Sequence, residues 1–176
     1  MWLNKRHYYG LFLVGLLVSQ EVNGKYPGMD ALSLLVRGTF TVPTCTLKMP
    51  DRVILGSLKT GISTHHPVKI EIECPDGTSI KTGLYAMNVT GMLDGPNNDK
   101  MTMVSSSGNT TTGKPAFFWL IDNDGNNIKL DGGKNNVFCQ GVSVSRVCTL
   151  TPHTQVFVNT TREQVEAVVR FNVAYP

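Results

Sequence analysis

The sequence predicts an all-β sandwich, and three observations support this prediction. Short apolar runs alternate with polar residues at a period of two, which is typical of strands with one buried face. Clusters of Gly, Pro, Asn, Asp and Ser separate the runs, and no apolar stretch of helical period lies between them. The runs are 31–42, 52–58, 68–74, 84–93, 101–105, 116–122, 127–130, 142–147, 155–159 and 165–176.

The final run, 165–176, places the strongest constraint on the fold. Its residues of one parity are apolar or aromatic, whereas Glu166, Arg170 and Asn172 occupy the other parity. A strand this apolar should pair on both edges, but no later sequence supplies a second neighbour. Native proteins cover such edges, so we expect something else to cover this one. The apolar set is Val165, Ala167, Val169, Phe171, Val173 and Tyr175.

Residues 1–24 have the features of a secretory signal peptide. Lys5 and Arg6 precede an apolar run, 10–18, that is too short to span a bilayer. We expect cleavage after Gly24, with cleavage after Ser19 as the alternative, and therefore an exported chain. Loss of Lys5, Arg6 and Glu21 changes the formal charge from +3 to +2. This charge is too small to indicate nucleic-acid binding.

The four cysteines indicate disulfides, because an even number in an exported chain is typical of a disulfide framework. Three connectivities are possible. We favour Cys45 with Cys74 and Cys139 with Cys148, because each pair flanks adjacent strand-like runs. The alternative, a zinc site, has no supporting Cys-x-x-Cys or Cys/His spacing.

Residue patterns that would indicate catalysis or a metal site are weak. Residues 122–127 predict a hairpin turn, and they resemble the start of a calcium loop but lack its closing acidic residue. His65 and His66 are adjacent and predict a solvated loop. Glu71 and Glu73 share one parity, which is typical of the outer face of a strand. No nucleophile or base motif accompanies them, so we expect neither an enzyme nor a bound cofactor or metal.

Several segments, taken in order, resemble the pilin-type subunits of chaperone-usher fimbriae over residues 31–176. Residues 36–40 with Cys45 resemble the N-terminal extension that leads into the first strand. The other matching pieces are 53–56, 70–74, the central hairpin 118–125 and the penultimate aromatic Tyr175. Two departures, Glu163 in place of a glycine and the additional Cys139/Cys148 pair, suggest a minor, adaptor-type subunit.

This resemblance implies an incomplete immunoglobulin-like β-sandwich that lacks its last strand and is completed by a donor strand from another subunit. The expected organisation is a signal peptide at 1–24, an N-terminal extension at 25–37 that continues as a donor strand to about residue 42, and a pilin domain at 38–176. Alternate donor residues would enter a groove beside the C-terminal strand of the neighbour. They are Leu32, Leu34, Val36 and Phe40, with Gly38 where no side chain fits.

The resemblance also implies partners and a location. The expected partners are a periplasmic pilus chaperone, an outer-membrane usher and neighbouring fimbrial subunits, and the product would reach a cell-surface fimbrium that supports adhesion. The alternative is a self-contained secreted immunoglobulin-like binding domain, but no Trp lies between Cys45 and Cys74 as such a domain requires. A secreted β-sandwich hydrolase lacks a catalytic constellation.

Overall fold

The structure is a computed structural model that describes residues 44–77, 79–107 and 113–176. The predicted signal peptide, extension and donor residues lie outside this range. Within it, one short 3-10 helix, Pro75–Gly77, accompanies twelve strands, and no helix is long and apolar enough to cross a membrane. The strands are β1 (Thr46–Lys48), β2 (Gly61–Thr64), β3 (Val68–Glu73), β4 (Ile80–Asn88), β5 (Leu93–Asp94), β6 (Lys100–Thr102), β7 (Val104–Ser105), β8 (Phe117–Ile121), β9 (Phe138–Ser143), β10 (Ser145–Val156), β11 (Val165–Glu166) and β12 (Val169–Ala174).

Two main sheets form the fold, and every strand pairing in them is antiparallel. The front sheet has the order β1-β3-β10-β8-β6-β5, with β2 also paired to β10, and the back sheet has the order β12-β4-β9. The short strands β7 and β11 form a third pair.

The strand order corresponds to an immunoglobulin-like sandwich without its last strand. Such a sandwich has strands A, B, E and D in one sheet and C, F and G in the other. Here β1, β3, β10 and β8 occupy the positions of A, B, E and D, while β4 and β12 occupy C and F. No described strand occupies the position of G beside β12. The predicted fold class is therefore confirmed.

The core lies between the two sheets and follows the alternation of the strands. In β3, Ile70 and Ile72 are fully buried while Glu71 is exposed, as the sequence pattern predicts. In the back sheet, Leu84 and Ala86 of β4 face the same core. This shared apolar layer holds the two sheets together.

Both disulfides have the connectivity that the sequence analysis favours. Cys45–Cys74 joins the residue before β1 to the residue after β3. Cys139–Cys148 joins β9 of the back sheet to β10 of the front sheet. The second bond is therefore a covalent link between the sheets. It is not a link between neighbouring strands.

Arg146 reinforces this link between the sheets. It has the inward parity of β10, and its Nη1 and Nη2 donate to the carbonyl oxygens of Gly141 at 2.9 Å and Thr82 at 2.8 Å. Both acceptors belong to the back sheet, on β9 and β4. Burial lowers the pKa of the guanidinium, but a guanidinium stays protonated under all ordinary conditions. Arg146 therefore binds the back sheet to β10 through two charge-assisted hydrogen bonds.

The prediction of a strand at 52–58 was wrong. Residues 49–60 form no strand, although Leu55 and Leu58 are half-buried and pack on the core while Ile54 is 86% exposed. A strand needs a partner for its backbone hydrogen bonds, and the described residues supply none here. Leu55 and Leu58 are three positions apart, so their partial burial does not follow the period of two in a strand.

The strand predicted at 127–130 was also wrong, although the turn before it is present. Asp122 Oδ1 accepts bonds from two backbone N–H groups of the turn, and Gly125 has φ of 82°. After the turn, Ile128 N–H donates to the Leu120 oxygen and Leu130 N–H to the Asn98 oxygen. Because these bonds go to two different segments, no continuous ladder forms.

Other predicted runs differ in their bounds. The run 142–147 contains the turn at Val144 that separates β9 from β10, and the parity of its exposed valines changes there. The run 155–159 is only the end of the long strand β10, and 84–93 spans the end of β4 and the start of β5. The final run is divided between β11 and β12.

The two disulfides should stabilise the fold to different degrees. They join residues 29 and 9 positions apart, so loop closure in the unfolded chain predicts about 3.5 kcal/mol for Cys45–Cys74 and about 2.5 kcal/mol for Cys139–Cys148. Urea unfolding of the two paired Cys→Ala variants, beside the oxidised wild type, measures both losses. A larger loss from the Cys139/Cys148 pair would contradict loop closure as the main effect.

Candidate functional site

The candidate site begins at the outer edge of β12. This strand pairs with β4 in a continuous register from Val169↔Asn88 to Ala174↔Gly83. In the described part of the chain, no strand pairs with its other edge. The backbone along that edge is therefore available to an additional strand.

The direction of the β12 amides follows from the adjoining hydrogen bond. Val89 N–H donates to the Val168 oxygen at 2.8 Å, so Val168 and Val89 form a hydrogen-bonded pair of the antiparallel ladder. Hydrogen-bonded and non-hydrogen-bonded pairs alternate along an antiparallel ladder. The amides of Val169, Phe171 and Val173 therefore point away from β4, towards the open edge.

The side chains beside this edge are apolar and only half-buried. The five inward residues of the predicted C-terminal set that precede Tyr175 pack against the core, but none of them is fully buried. Phe171, in the middle of β12, meets Phe138 of β9 edge to face at 6.4 Å. A fully covered strand of this composition would be buried, so its cover is incomplete. The five residues are Val165, Ala167, Val169, Phe171 and Val173.

The second wall comes from the start of the described chain. Leu47 of β1 and Leu55 and Leu58 of the segment after it are half-buried against the same core cluster. At one end the walls meet, because Cys45 N–H donates to Tyr175 Oη at 2.8 Å. The open edge of β12 and these half-buried leucines thus border one apolar margin of the core, which we call the lateral groove. Its described walls suit an extended apolar peptide.

Sequence reasoning identified one wall of the lateral groove but missed the other. The alternation in 165–175 identified β12, whereas 52–58 was predicted as an ordinary strand and Leu47 lies outside every predicted run. Leu55 and Leu58 are three positions apart, which does not fit the period of two in a strand, so their spacing was a usable signal. The predicted donor residues Leu32, Leu34, Val36, Gly38 and Phe40 lie outside the described residues.

The histidines form a separate polar cluster on the front sheet. His65 Nε2 bonds Thr154 Oγ1 at 2.8 Å, and His153 Nδ1 bonds Thr64 Oγ1 at 3.2 Å. The His153 ring also stacks on Trp119, with ring centroids 5.4 Å apart. The sequence predicted a solvated loop, whereas His65 is half-buried and connects the chain after β2 to β10.

The surroundings of both rings favour the neutral form by lowering the pKa. Burial lowers the pKa of His65, with a smaller effect from the neighbouring charge of His66. Burial also lowers the pKa of His153, with a smaller effect from His65. No group of three or more His, Cys, Asp or Glu side chains among the described residues could hold a metal ion. The cluster serves to attach strands to one another.

Two shallow polar depressions lie beside the hairpin turn at 122–127. One of about 450 Å³ lies at the hairpin tip, lined by Asp99, Asn126, Asn127 and Lys129 among others. Asn127 Nδ2 donates to Asp99 Oδ2 at 2.8 Å, so part of this polar surface is already bonded internally. It lacks the apolar enclosure typical of a small-molecule site. The lateral groove is therefore the stronger candidate.

Comparison with solved structures supports the fold. A chain from a structure of a chaperone-usher pilus, concerned with rod uncoiling, has 14% identity and a TM-score of 0.53, and the match covers 86% of this chain and 98% of that one. The P pilus rod subunit PapA has 18% identity and a TM-score of 0.53, with 75% and 99% covered. No protein-family model and no curated protein matches the sequence. At these identities the likeness establishes a shared fold.

We predict that acid weakens the fold through His65 and His153. A histidine whose folded pKa lies below its usual value of 6.5 stabilises the folded state above that value, and the contribution is lost as pH falls below it towards the folded pKa. The free energy of unfolding should therefore fall as the pH drops below about 6.5. Urea titrations of the wild type and of a His65→Gln/His153→Gln variant measure this. An equally steep fall in the variant would contradict the assignment.

Proposed function

We propose that this chain is a structural subunit of a bacterial surface fimbria, assembled by donor-strand exchange through the chaperone-usher pathway and supporting cell adhesion. The observation that carries the proposal is the open edge of β12 beside a half-buried apolar wall. The fold shared with two pilus chains supports it. The sequence supplies the complementary part, an alternating apolar segment at residues 31–42.

In this proposal a strand from another subunit fills the lateral groove. Its backbone would bond the outward amides of Val169, Phe171 and Val173, which gives affinity, and its alternate side chains would pack between the two walls, which gives specificity. Complete burial of an apolar side chain stabilises the complex by about 1.5 to 3 kcal/mol. Four donor side chains, Leu32, Leu34, Val36 and Phe40, would contribute in this way.

The groove must be covered before assembly, and this requirement indicates the remaining partners. An apolar strand edge exposed in solution pairs with other chains. A periplasmic chaperone would cover the groove first, and an outer-membrane usher would guide the exchange to the next subunit. The described groove walls carry apolar side chains, which suits a binding role.

The adaptor-type position remains a prediction from the sequence. Of its two supporting features, the Cys139–Cys148 disulfide links β9 to β10. Glu163 lies in the loop before β11. Neither feature belongs to the groove walls.

Replacement of Gly38 with Leu should separate chaperone binding from fibre assembly. Gly38 shares the parity of the donor side chains, so a Leu there would overpack the groove of the neighbour by about 1 to 3 kcal/mol. Expressed in the periplasm, the Gly38→Leu chain should still co-purify with a pilus chaperone but form few fibres. The Thr39→Leu chain, changed on the opposite parity, should assemble normally.

Two results would count against this proposal. A wild-type chain that accumulates as a stable monomer without a chaperone would indicate the self-contained immunoglobulin-like domain. Fibres of normal yield from Gly38→Leu would show that residue 38 does not enter a groove.

A further inference from the structure

Strand β9 contains one extra residue where it pairs with the middle of β4. The pairs on either side of this point are Thr82↔Gly141 and Leu84↔Phe138. Between them, the single residue Gly83 of β4 lies opposite two residues of β9, Cys139 and Gln140. This arrangement is a β-bulge. Gly83 suits the bulge, because a Cβ at this position would collide with the side chain of Val137.

The bulge directs two consecutive side chains to the same face of the sheet. In a regular strand, consecutive side chains point to opposite faces. Here Phe138 and Cys139 both pack on the core, and Gln140 is exposed. Cys139 has φ of 49°, in the left-handed region that residues other than Gly rarely adopt. Such a backbone conformation persists only where the surrounding structure holds it.

The Cys139–Cys148 disulfide holds the bulge in place. Cys148, on β10 of the front sheet, is 2% exposed, so the bond keeps the side chain of Cys139 directed into the core. Arg146 does not replace the bond, because it bonds β9 at Gly141, on the other side of the bulge from Phe138. Without the disulfide, Cys139 could relax to an ordinary strand conformation. Because the period of a strand is two, loss of the bulge would turn Phe138 to the outer face.

The direction of Phe138 matters for the lateral groove because of Phe171. Phe138 shares a cross-strand row with Leu84 of β4 and Val173 of β12. Its ring meets that of Phe171 edge to face, with ring centroids 6.4 Å apart and ring planes at 75°. Phe171 is the central apolar residue of the β12 wall and is only half-buried. Without Phe138 beside it, the Phe171 ring would turn into the vacated space and change the shape of that wall.

We propose that the Cys139–Cys148 disulfide positions the β12 wall of the lateral groove for strand capture. The bond holds the bulge, and the bulge holds Phe138 against Phe171. The inference rests on the proposed function. It makes Phe138 and the two cysteines positioning residues, which act on the incoming strand through Phe171 and need not touch that strand themselves.

Two readouts on the freshly refolded mature chain test this role. The first is the nuclear Overhauser contact between the rings of Phe138 and Phe171 in chain labelled with ¹³C-Phe at low concentration. The second is the concentration of labelled peptide of residues 30–42 that half-fills the groove when the peptide is present during refolding. The test variant is Cys139→Ala/Cys148→Ala. Its matched control is Cys139→Gly/Cys148→Ala, which lacks the same bond but accepts the positive φ without strain.

The Cys139→Ala/Cys148→Ala chain should lose the ring contact and need about tenfold more peptide, whereas the Gly control should keep the contact and need at most about threefold more. Phe138→Ala, which keeps the disulfide, should also need about tenfold more. Adding the two Cys→Ala changes to Phe138→Ala should have little further effect, because both remove the same contact. Met101→Ala, at a fully buried position of β6, should lose stability but bind the peptide like the wild type.

Four results would overturn the inference. An unchanged ring contact in Cys139→Ala/Cys148→Ala would show that the bulge holds without the bond. Equal losses of binding in the Ala and Gly variants would show that the bond acts through overall stability. Normal binding by Phe138→Ala would show that this ring does not shape the groove. A wild-type chain that has the ring contact but does not bind the peptide would contradict the proposed strand exchange itself, on which the inference rests.

Discussion

A strand carries hydrogen-bonding groups along both edges, and β12 has a described partner along only one of them. Water can satisfy the free amides, but it cannot satisfy the apolar side chains of the same residues, which face the core. Among the described residues, Val169, Phe171 and Val173 therefore have no backbone partner along this edge, and their side chains are incompletely buried. Only another strand can meet both needs, because it supplies a ladder and a row of side chains at the same spacing.

The open margin beside β12 depends on strong contacts between the two sheets elsewhere. A sandwich without one strand has lost contact between its sheets along one margin, so the remaining contacts must hold them in place. Cys139–Cys148 joins β9 to β10 covalently, and Arg146 bonds two back-sheet carbonyls from the same strand β10. These links allow the lateral groove to stay open while the sheets remain together.

The sequence predicted a strand correctly wherever one face of the strand is exposed to solvent and the other face packs on the core. The alternation in 68–74 located β3, and that in 165–175 located the β12 wall of the groove. The sequence was misleading where a segment contains apolar residues but its backbone has no continuous strand partner. Residues 52–58 have two half-buried leucines, three positions apart, and no described strand partner, while 127–130 bond two different segments. The hydrophobic period of a segment does not show whether another strand lies beside its backbone.

Two other features were not predictable from pattern. The strand β9, FCQGVS, has a Gly and a positive-φ residue, Cys139, and lacks a clear alternation. Arg146 is charged, so it reads as a surface residue, yet it shares the inward parity of Cys148 and Leu150. Its half-buried position depends on the carbonyls of Gly141 and Thr82, which no local sequence signal brings together.

The central claim is that the outer edge of β12 is open until another subunit fills it, and amide hydrogen exchange tests this residue by residue. In a verified monomer, the outward amides of Val169, Phe171 and Val173 should exchange fast, while Arg170 and Asn172, bonded to β4, should be protected. In assembled fibres all five should be protected. Protection of Val169, Phe171 and Val173 already in the monomer, equal to that of their neighbours, would contradict the account.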